Sequence, residues 1–340
     1  MGTTSIVSDR ADGAAGASAA AAPHFALGPV VRVMRPYQWV KNLLLVLPLA
    51  MSHEVNPTRA WHVALGFVVF CLCASSAYVL NDLRDAEHDR QHPVKRHRPV
   101  ASGRLSRGAA FLLAFALMAL GFGLSLPYLP PKFSALTGTY VIATLSYSFW
   151  LKQRLLVDVF VLAGLYTLRV LAGGAAVPVE VTPWLLAFCI FFFLSLAFAK
   201  RYAELRRVAG DAGTQIRGRA YQVEDIEVIA SVGPTSGYMA VLVLALYVNS
   251  STAGQLYQRP FLLWLVCPLI LYWVTRVWFL ARRGVLTEDP LLFSLKDRTS
   301  LLVVAVTAVL VMLAAGGPPH HDGPTPGGGP APSSTGASRS

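Results

Sequence analysis

A short acidic segment follows one of the long apolar stretches of the chain and reads Asn81-Asp82-Leu83-Arg84-Asp85-Ala86-Glu87-His88-Asp89. Asp82, Asp85 and Asp89 are spaced i, i+3 and i+7, so on a helix they share one face. Their mutual repulsion is relieved when divalent cations lie between them, and Mg²⁺ combines a few carboxylates with substrate phosphate oxygens. The spacing therefore predicts a Mg²⁺–diphosphate site with these three aspartates as ligands. The alternative is a solvated acidic face with i,i+4 salt bridges.

Basic side chains follow this acidic segment directly. They are Arg90, Lys95, Arg96, Arg98 and Arg104. Pro93 and Pro99 interrupt any helix there, so the segment is predicted to be a loop. Carboxylates that hold a metal, followed by Lys and Arg that bind phosphate oxygens, form a coherent anion site. For any single one of these residues, the alternative is the general excess of basic residues in cytoplasmic loops.

Other charged residues lie within or at the ends of apolar stretches. Asp158 and Arg169 are eleven residues apart in the sequence, which places them on nearly one helix face, three turns apart. Ionisable residues inside a membrane are functional candidates by default. A buried structural Asp–Arg pair is the alternative, although their separation argues against direct contact. Lys200 and Arg201 either reach the membrane interface or bind a phosphate.

The composition predicts the elements that must position these residues. Hydrophobic residues make up 54% of the chain and charged residues 14%, and the mean hydropathy is +0.51. These values exclude an ordinary soluble enzyme. The apolar stretches reach the roughly 20 residues that cross a bilayer, and they lack the alternation of a membrane barrel. The four cysteines all lie in apolar stretches, so neither a disulfide framework nor a zinc site is expected.

The predicted fold is an all-α integral membrane protein with nine transmembrane helices. The spans are predicted at about 40–54, 61–80, 108–127, 133–151, 156–176, 183–199, 229–250, 260–281 and 299–316. The first is the shortest, and Pro48 interrupts it. Residues 1–28 and 317–340 are low in large apolar residues and are predicted to be disordered tails around a transmembrane domain of residues 29–316.

The distribution of basic residues predicts the topology. With the N-terminus in the cytoplasm, 24 of the 29 Lys and Arg residues fall in cytoplasmic segments and four in outer segments. This asymmetry supports nine spans with the C-terminus outside. It also accounts for the net charge of +11 without a nucleic-acid partner. The acidic segment is therefore expected on the cytoplasmic side.

Several separated motifs together resemble the UbiA superfamily of intramembrane prenyltransferases, over about residues 30–316. The superfamily pattern NDxxDxxxD matches Asn81, Asp82, Asp85 and Asp89. The chain is most similar to the branch that transfers phosphoribose to decaprenyl phosphate. The segments that carry this closer resemblance are 35–42, 81–103, Tyr147-Ser148, Leu151-Lys152, Asp158, Arg169 with Gly173-Gly174, and 200–205.

The resemblance implies a nine-helix bundle in a bacterial inner membrane, with a cavity that faces the cytoplasm. The donor would be phosphoribosyl diphosphate, and the acceptor would be a polyprenyl phosphate from the bilayer. Mg²⁺ would be held by Asp82, Asp85 and Asp89, with Asn81 in support. Carboxylates, with Asp158 among the catalytic candidates, would stabilise an oxocarbenium-like transition state. The residues implied for substrate binding are Lys41, Lys95, Arg98, Tyr147, Lys152, Arg169, Lys200 and Arg201.

The implied product class feeds a lipid-linked arabinose donor, used for cell-wall arabinan or for arabinosylated glycolipids such as nodulation factors. Two other functions remain open. An aromatic polyprenyltransferase of quinone biosynthesis would share the metal motif and use a different donor. A polytopic transporter would be expected to show inverted repeats and mid-membrane polar residues, whereas the charges here concentrate at one interface. Homo-oligomer formation is also left open.

Overall fold

The computed structural model describes residues 27–52, 55–91, 94–210, 213–216, 218–286 and 289–316. The predicted disordered tails lie outside these residues, except that Leu27 and Gly28 already belong to the first helix. Within the described residues the regular structure is helical, with one isolated bridge between Gln215 and Gln222.

Twelve α-helices form the described part of the chain. They are α1 (Leu27–Met34), α2 (Leu47–Met51), α3 (Pro57–Arg90), α4 (Arg107–Tyr128), α5 (Pro131–Phe149), α6 (Val157–Ala176), α7 (Pro183–Gly210), α8 (Ile226–Val248), α9 (Ser251–Leu256), α10 (Val266–Arg282), α11 (Pro290–Lys296) and α12 (Arg298–Ala315). A 3-10 helix, Pro36–Val46, connects α1 to α2.

Seven of the described helices are long and apolar enough to cross a membrane. They are Pro57–Arg90, Arg107–Tyr128, Val157–Ala176, Pro183–Gly210, Val223–Val248, Pro260–Arg282 and Arg298–Ala315, of which the fifth and sixth include the 3-10 helices that precede α8 and α10. This fits a multi-pass membrane protein, but the predicted count of nine spans is not confirmed. Helix α5 has 19 residues, yet its many Ser and Thr residues make it less apolar than the others.

The first predicted span is not a regular α-helix. It consists of the 11-residue 3-10 helix Pro36–Val46 followed by the five residues of α2. At about 2 Å per residue in a 3-10 helix and about 1.5 Å in an α-helix, the two rise about 30 Å together, which is about the thickness of a bilayer core. The segment packs between α3 and α6. A Cβ on Gly173 would overlap the carbonyl oxygen of Leu45, so only glycine allows this approach.

Long helices that follow one another in the sequence run antiparallel, and packed helices are joined by polar contacts as well as apolar packing. The hydroxyl of Ser76 on α3 donates to the carbonyl of Ala114 on α4 at 2.7 Å. The indole of Trp278 on α10 donates to Ser195 on α7 at 3.0 Å. The outer face of α4 exposes large apolar side chains, such as Phe115 at 66%. Such a face fits contact with lipid.

The antiparallel order brings several helix ends together at one end of the bundle. Helices α3, α5 and α7 end there, and α4, α6 and α8 begin there. Two contacts fix the arrangement: Arg84 near the end of α3 donates to the carbonyl oxygens of Ser148 and Phe149 on α5, and Arg201 on α7 contacts Asp158 on α6. We call this end of the bundle the site end.

Candidate active site

A cavity of about 870 Å³ opens at the site end of the bundle. Nine of the described residues that line it are basic: Arg35, Lys41, Lys95, Arg98, Lys152, Arg169, Lys200, Arg219 and Lys296. The acidic residues that line it are Asp85 and Asp289. Such an excess of positive charge in a concave, partly desolvated site attracts polyanions.

The end of α3 supplies the acidic wall of the cavity, as the i, i+3, i+7 spacing predicted for one helix face. Asn81 and Asp85 line the cavity. Asp82 and Asp89 are buried beneath that surface and share one guanidinium. Arg98 Nη1 lies 3.2 Å from Asp82 Oδ1 and 2.7 Å from Asp89 Oδ2. Arg35 Nη2 lies 2.5 Å from the same Asp82 oxygen.

Asp85 is the carboxylate of this group that is most open to the cavity. Its Oδ2 lies 3.5 Å from Lys152 Nζ, and the two side chains are 27% and 21% exposed. A long, partly solvated pair of this kind exchanges easily for a ligand. Within the described residues no set of three His, Cys, Asp or Glu side chains converges on one point. The hard oxygen donors of Asn81 and Asp85 nevertheless fit Mg²⁺, which binds through one or two carboxylates and substrate phosphates.

Lys95 contributes positive charge from the loop between α3 and α4. Burial lowers the pKa of its ammonium group, and the neighbouring Arg98 lowers it further, against the attraction of Asp89 and Asp85. The site thus holds this lysine at an electrostatic cost that a bound polyanion would relieve.

A second charged group in the cavity centres on Asp289, which the sequence analysis did not identify. Asp289 Oδ2 lies 2.8 Å from Lys41 Nζ and 3.5 Å from Lys200 Nζ. The hydroxyl of Tyr166 donates to both carboxylate oxygens, at 2.9 and 2.8 Å. Burial alone would raise the pKa of Asp289, but the two lysines outweigh it and the pKa is lowered.

Arg169 lies deep in the cavity wall on α6. Its Nε donates to Asn42 Oδ1 at 3.0 Å and its Nη2 to the Tyr140 hydroxyl at 2.9 Å. The guanidinium also lies 4.7 Å from the centroid of the Tyr140 ring. As expected from their spacing, Arg169 and Asp158 do not pair. The 3-10 helix contributes Asn42 to this contact, and therefore helps to orient the buried arginine.

Asp158 and Arg201 do not line the cavity, although the resemblance implied that they act on substrate. Both are fully buried. Asp158 Oδ2 accepts from Arg201 Nε at 2.6 Å and from Arg219 Nη1 at 2.9 Å, while its Oδ1 accepts from the Tyr221 hydroxyl at 2.7 Å. The physical reason is that the loop after α7 folds over the start of α6 and covers the carboxylate.

Two residues of this buried network do reach the cavity, namely Arg219 and Tyr147. Arg219 Nη1 donates to the Tyr147 hydroxyl at 2.9 Å, and Arg201 Nη2 donates to the same hydroxyl at 3.2 Å. Arg201 also pairs with Glu204, one helical turn further along α7. The buried network therefore supports the cavity wall from behind.

Most of the residues predicted to bind substrate meet in the one cavity. Those that line it are Lys41, Asn81, Asp85, Lys95, Arg98, Tyr147, Lys152, Arg169 and Lys200. Asp82, Asp89, Asp158 and Arg201 lie behind its surface. The residues that sequence reasoning missed are Arg35, Tyr166, Arg219, Asp289 and Lys296. Arg35 belongs to the segment 35–42 that contributed to the family resemblance, whereas the other four residues are not part of any pattern of spacing in the sequence.

Known proteins of similar sequence and fold indicate the family to which this arrangement of an acidic helix end in a basic cavity belongs. The sequence pattern of the UbiA prenyltransferase family matches residues 43–302. The chain belongs to this family. A solved UbiA homolog from Archaeoglobus fulgidus, bound to GPP and Mg²⁺, has the same fold, with a TM-score of 0.63 at 16% identity over 84% of this chain and 99% of that chain.

Two relatives of this chain have different names. The nodulation protein NoeC of Azorhizobium caulinodans is 36% identical over 79% of this chain and 88% of its own length. The decaprenyl-phosphate phosphoribosyltransferase of Corynebacterium glutamicum is 42% identical over 52% of this chain and 54% of its own length. The match to the phosphoribosyltransferase thus spans about half of each protein.

Proposed function

We propose that this chain transfers 5-phosphoribose from phosphoribosyl diphosphate to a polyprenyl phosphate and releases diphosphate. The observation that carries the proposal is the charge of the cavity, in which nine basic residues and two acidic ones line the described surface. A prenyl diphosphate and an aromatic acceptor carry one diphosphate between them. Phosphoribosyl diphosphate and a polyprenyl phosphate have three separate phosphate-bearing ends, which account better for the excess of basic side chains. The named phosphoribosyltransferase relatives support the same reaction.

The acidic end of α3 is the proposed donor side of the cavity. Asn81 and Asp85 would hold Mg²⁺ together with the donor diphosphate, and Asp82 and Asp89 would support this face from behind through Arg98. When bound, Mg²⁺ would offset the charge that develops on the leaving diphosphate. Lys95, Arg98 and Lys152 line the cavity beside Asp85 and would bind the phosphate oxygens of the donor.

The reaction needs one bond to form and one to break. An oxygen of the acceptor phosphate attacks the anomeric carbon of the ribose, and the bond from that carbon to diphosphate breaks with its electron pair on the diphosphate. The acceptor phosphate is already anionic, so no side chain has to remove a proton from it. The task of this chain is therefore to align two mutually repelling anions, which is the work of positioned basic groups.

The proposal extends to orientation and destination. We propose that the site end faces the cytoplasm of a bacterial inner membrane, because basic loops favour that side and a soluble sugar phosphate is available there. The product would feed a lipid-linked arabinose donor. A relative named as a nodulation protein supports a glycolipid as its destination in preference to cell-wall arabinan.

One assay decides between donor classes. Purified protein with Mg²⁺ is given either phosphoribosyl diphosphate with polyprenyl phosphate, or polyprenyl diphosphate with hydroxybenzoate. We expect lipid-linked phosphoribose from the first pair and no prenylated hydroxybenzoate from the second. Product from the second pair alone would overturn the proposal and identify an aromatic prenyltransferase. The control is the same assay with purified Asp85→Asn protein.

A further inference from the structure

Lys41 and Lys200 reach the cavity from distant parts of the chain and meet at one carboxylate. Lys41 comes from the 3-10 helix, Lys200 from α7, and Asp289 from the loop before α11. The Lys41 and Lys200 ammonium groups lie 2.8 and 3.5 Å from the same oxygen, Asp289 Oδ2. Tyr166 on α6 adds its hydroxyl to that oxygen at 2.8 Å. Three separately positioned donors thus converge on one anionic oxygen.

This group of donors is largely withdrawn from solvent but borders the cavity. Asp289 is 9% exposed, and the Lys41 and Lys200 side chains are 11% and 28% exposed. All four residues line the cavity. Two ammonium groups and a hydroxyl around one anionic oxygen are also a suitable donor set for a phosphate monoester. The carboxylate of Asp289 therefore occupies the kind of place that a phosphate would take.

The same cavity also offers contacts for a hydrocarbon chain. Leu162, Leu165 and Leu292 line it together with the two lysines. Leu292 belongs to α11, which begins directly after Asp289. An amphiphile with a phosphate head and an apolar tail can therefore satisfy both kinds of side chain at once, whereas a fully polar sugar phosphate cannot use the leucines.

We propose that Lys41, Lys200 and Tyr166 form the subsite for the phosphate of a lipid monophosphate acceptor, and that Asp289 holds these donors together until that phosphate replaces it. Asp289 is thus a positioning residue and an exchangeable counter-ion. The inference rests on the proposed function for the identity of the acceptor. It separates the acceptor subsite from the donor side around Asp85, Lys95 and Lys152.

The proposal predicts, for each substitution, whether binding of the lipid phosphate becomes weaker or tighter. Lys41→Gln and Lys200→Gln remove a charge-assisted hydrogen bond, so each should weaken lipid phosphate binding about 10-fold or more. Asp289→Asn keeps an oxygen for Tyr166 but removes the competing negative charge, so it should tighten binding several-fold. Tyr166→Phe removes only the hydroxyl and should weaken binding by less than either lysine substitution.

The experiment is a binding titration that does not depend on turnover. Full-length protein in phosphatidylcholine nanodiscs is titrated with farnesyl phosphate and, separately, with phosphoribosyl diphosphate plus Mg²⁺. Farnesol, which lacks the phosphate, is the ligand control. Lys152→Gln is the matched lysine variant on the donor side, and size-exclusion profiles report folding.

We expect the two lysine variants to lose affinity for farnesyl phosphate and to keep that for phosphoribosyl diphosphate, with the reverse for Lys152→Gln. Unchanged farnesyl phosphate binding in Lys41→Gln and Lys200→Gln would overturn the subsite, as would equal losses for both ligands. Weaker farnesyl phosphate binding by a well-folded Asp289→Asn protein would overturn the exchange. If Asp289→Asn does not fold, the lysine variants and Tyr166→Phe still decide the subsite. Farnesyl phosphate binding through the lysines, without any transfer from phosphoribosyl diphosphate, would keep the subsite and reject the proposed donor.

Discussion

Two carboxylates at the site end, Asp85 and Asp158, both contact basic side chains but differ in burial and in the number of hydrogen bonds. Asp85 lines the cavity and has one long contact, 3.5 Å to Lys152, with both partners partly exposed. Asp158 is fully buried, and its two oxygens accept hydrogen bonds from two arginines and a tyrosine at 2.6 to 2.9 Å. Asp85 therefore forms an open ion pair, whereas Asp158 belongs to a hydrogen-bond network that is saturated.

The difference shows that a charged side chain is available to a ligand only where it is open to the cavity. In a saturated buried network the hydrogen-bond donors are already bonded to the carboxylate, and breaking these bonds leaves uncompensated charge. An open pair at the surface of the cavity contributes little to stability, but its charged side chains can separate and bind a ligand. Substitutions at open pairs and in the saturated network should therefore have different effects on turnover and on stability.

Asp85→Asn should abolish turnover, with a loss of about 10³-fold or more, because removal of a group that stabilises transition-state charge has effects of this order. The folded protein should remain in the membrane, since the Asp85 contact is long and partly exposed. Phosphoribosyl transfer and melting temperature are measured on the same sample. Glu87→Gln, on the exposed pair with Arg107, is the matched control. More than a tenth of wild-type turnover in Asp85→Asn would remove its role.

Asp158→Ala should destabilise the protein by about 3–5 kcal/mol, because it leaves Arg201 and Arg219 without the buried carboxylate that both contact. The measurement is the denaturant or thermal midpoint in detergent, compared with Asp158→Asn, which retains hydrogen-bonding capacity. A stable but inactive Asp158→Ala protein would contradict the contrast and return Asp158 to a direct catalytic role.

The affinity for the donor should fall as the pH rises through the lowered pKa of Lys95, because burial and Arg98 favour loss of its proton. Without ligand, the free energy of unfolding should change in the opposite direction. Between the lowered pKa of Lys95 in the folded protein and its ordinary value, the unfolded chain binds more protons, so stability rises with pH. The KM for phosphoribosyl diphosphate across pH 7 to about 10 measures the first effect. Lys95→Arg should flatten the profile, and an unchanged slope in that variant would assign the effect to another group.

Arg107→Ala should change stability by no more than about 0.5 kcal/mol and leave turnover unchanged, because its pair with Glu87 is exposed on both sides. The same melting and transfer assays apply. A loss of more than tenfold in turnover would mean that charge outside the cavity contributes to the site as strongly as charge within it.

The local features of the site could be predicted because they depend on residues that are close in sequence. Asp82, Asp85 and Asp89 share one face of α3, since a helix of fixed period decides which neighbours align. Mid-chain apolar helices were likewise predicted from composition, because the backbone in lipid must satisfy its own hydrogen bonds. The first span was predicted as a transmembrane helix, whereas the structure has a 3-10 helix there, whose Leu45 backbone packs closely against Gly173 on α6.

By itself the sequence determined the apolar helices, the acidic face of α3 and the family to which the chain belongs. Only the tertiary structure decided which charges remain open to a ligand. It gathered Lys41, Lys200 and Asp289 from segments up to 248 residues apart, and it buried Asp158 under Arg219. No local pattern encodes such pairings, because the helices bring these residues together only when they pack. The openness of Asp85, and with it the proposed chemistry, is therefore a property of the assembled bundle.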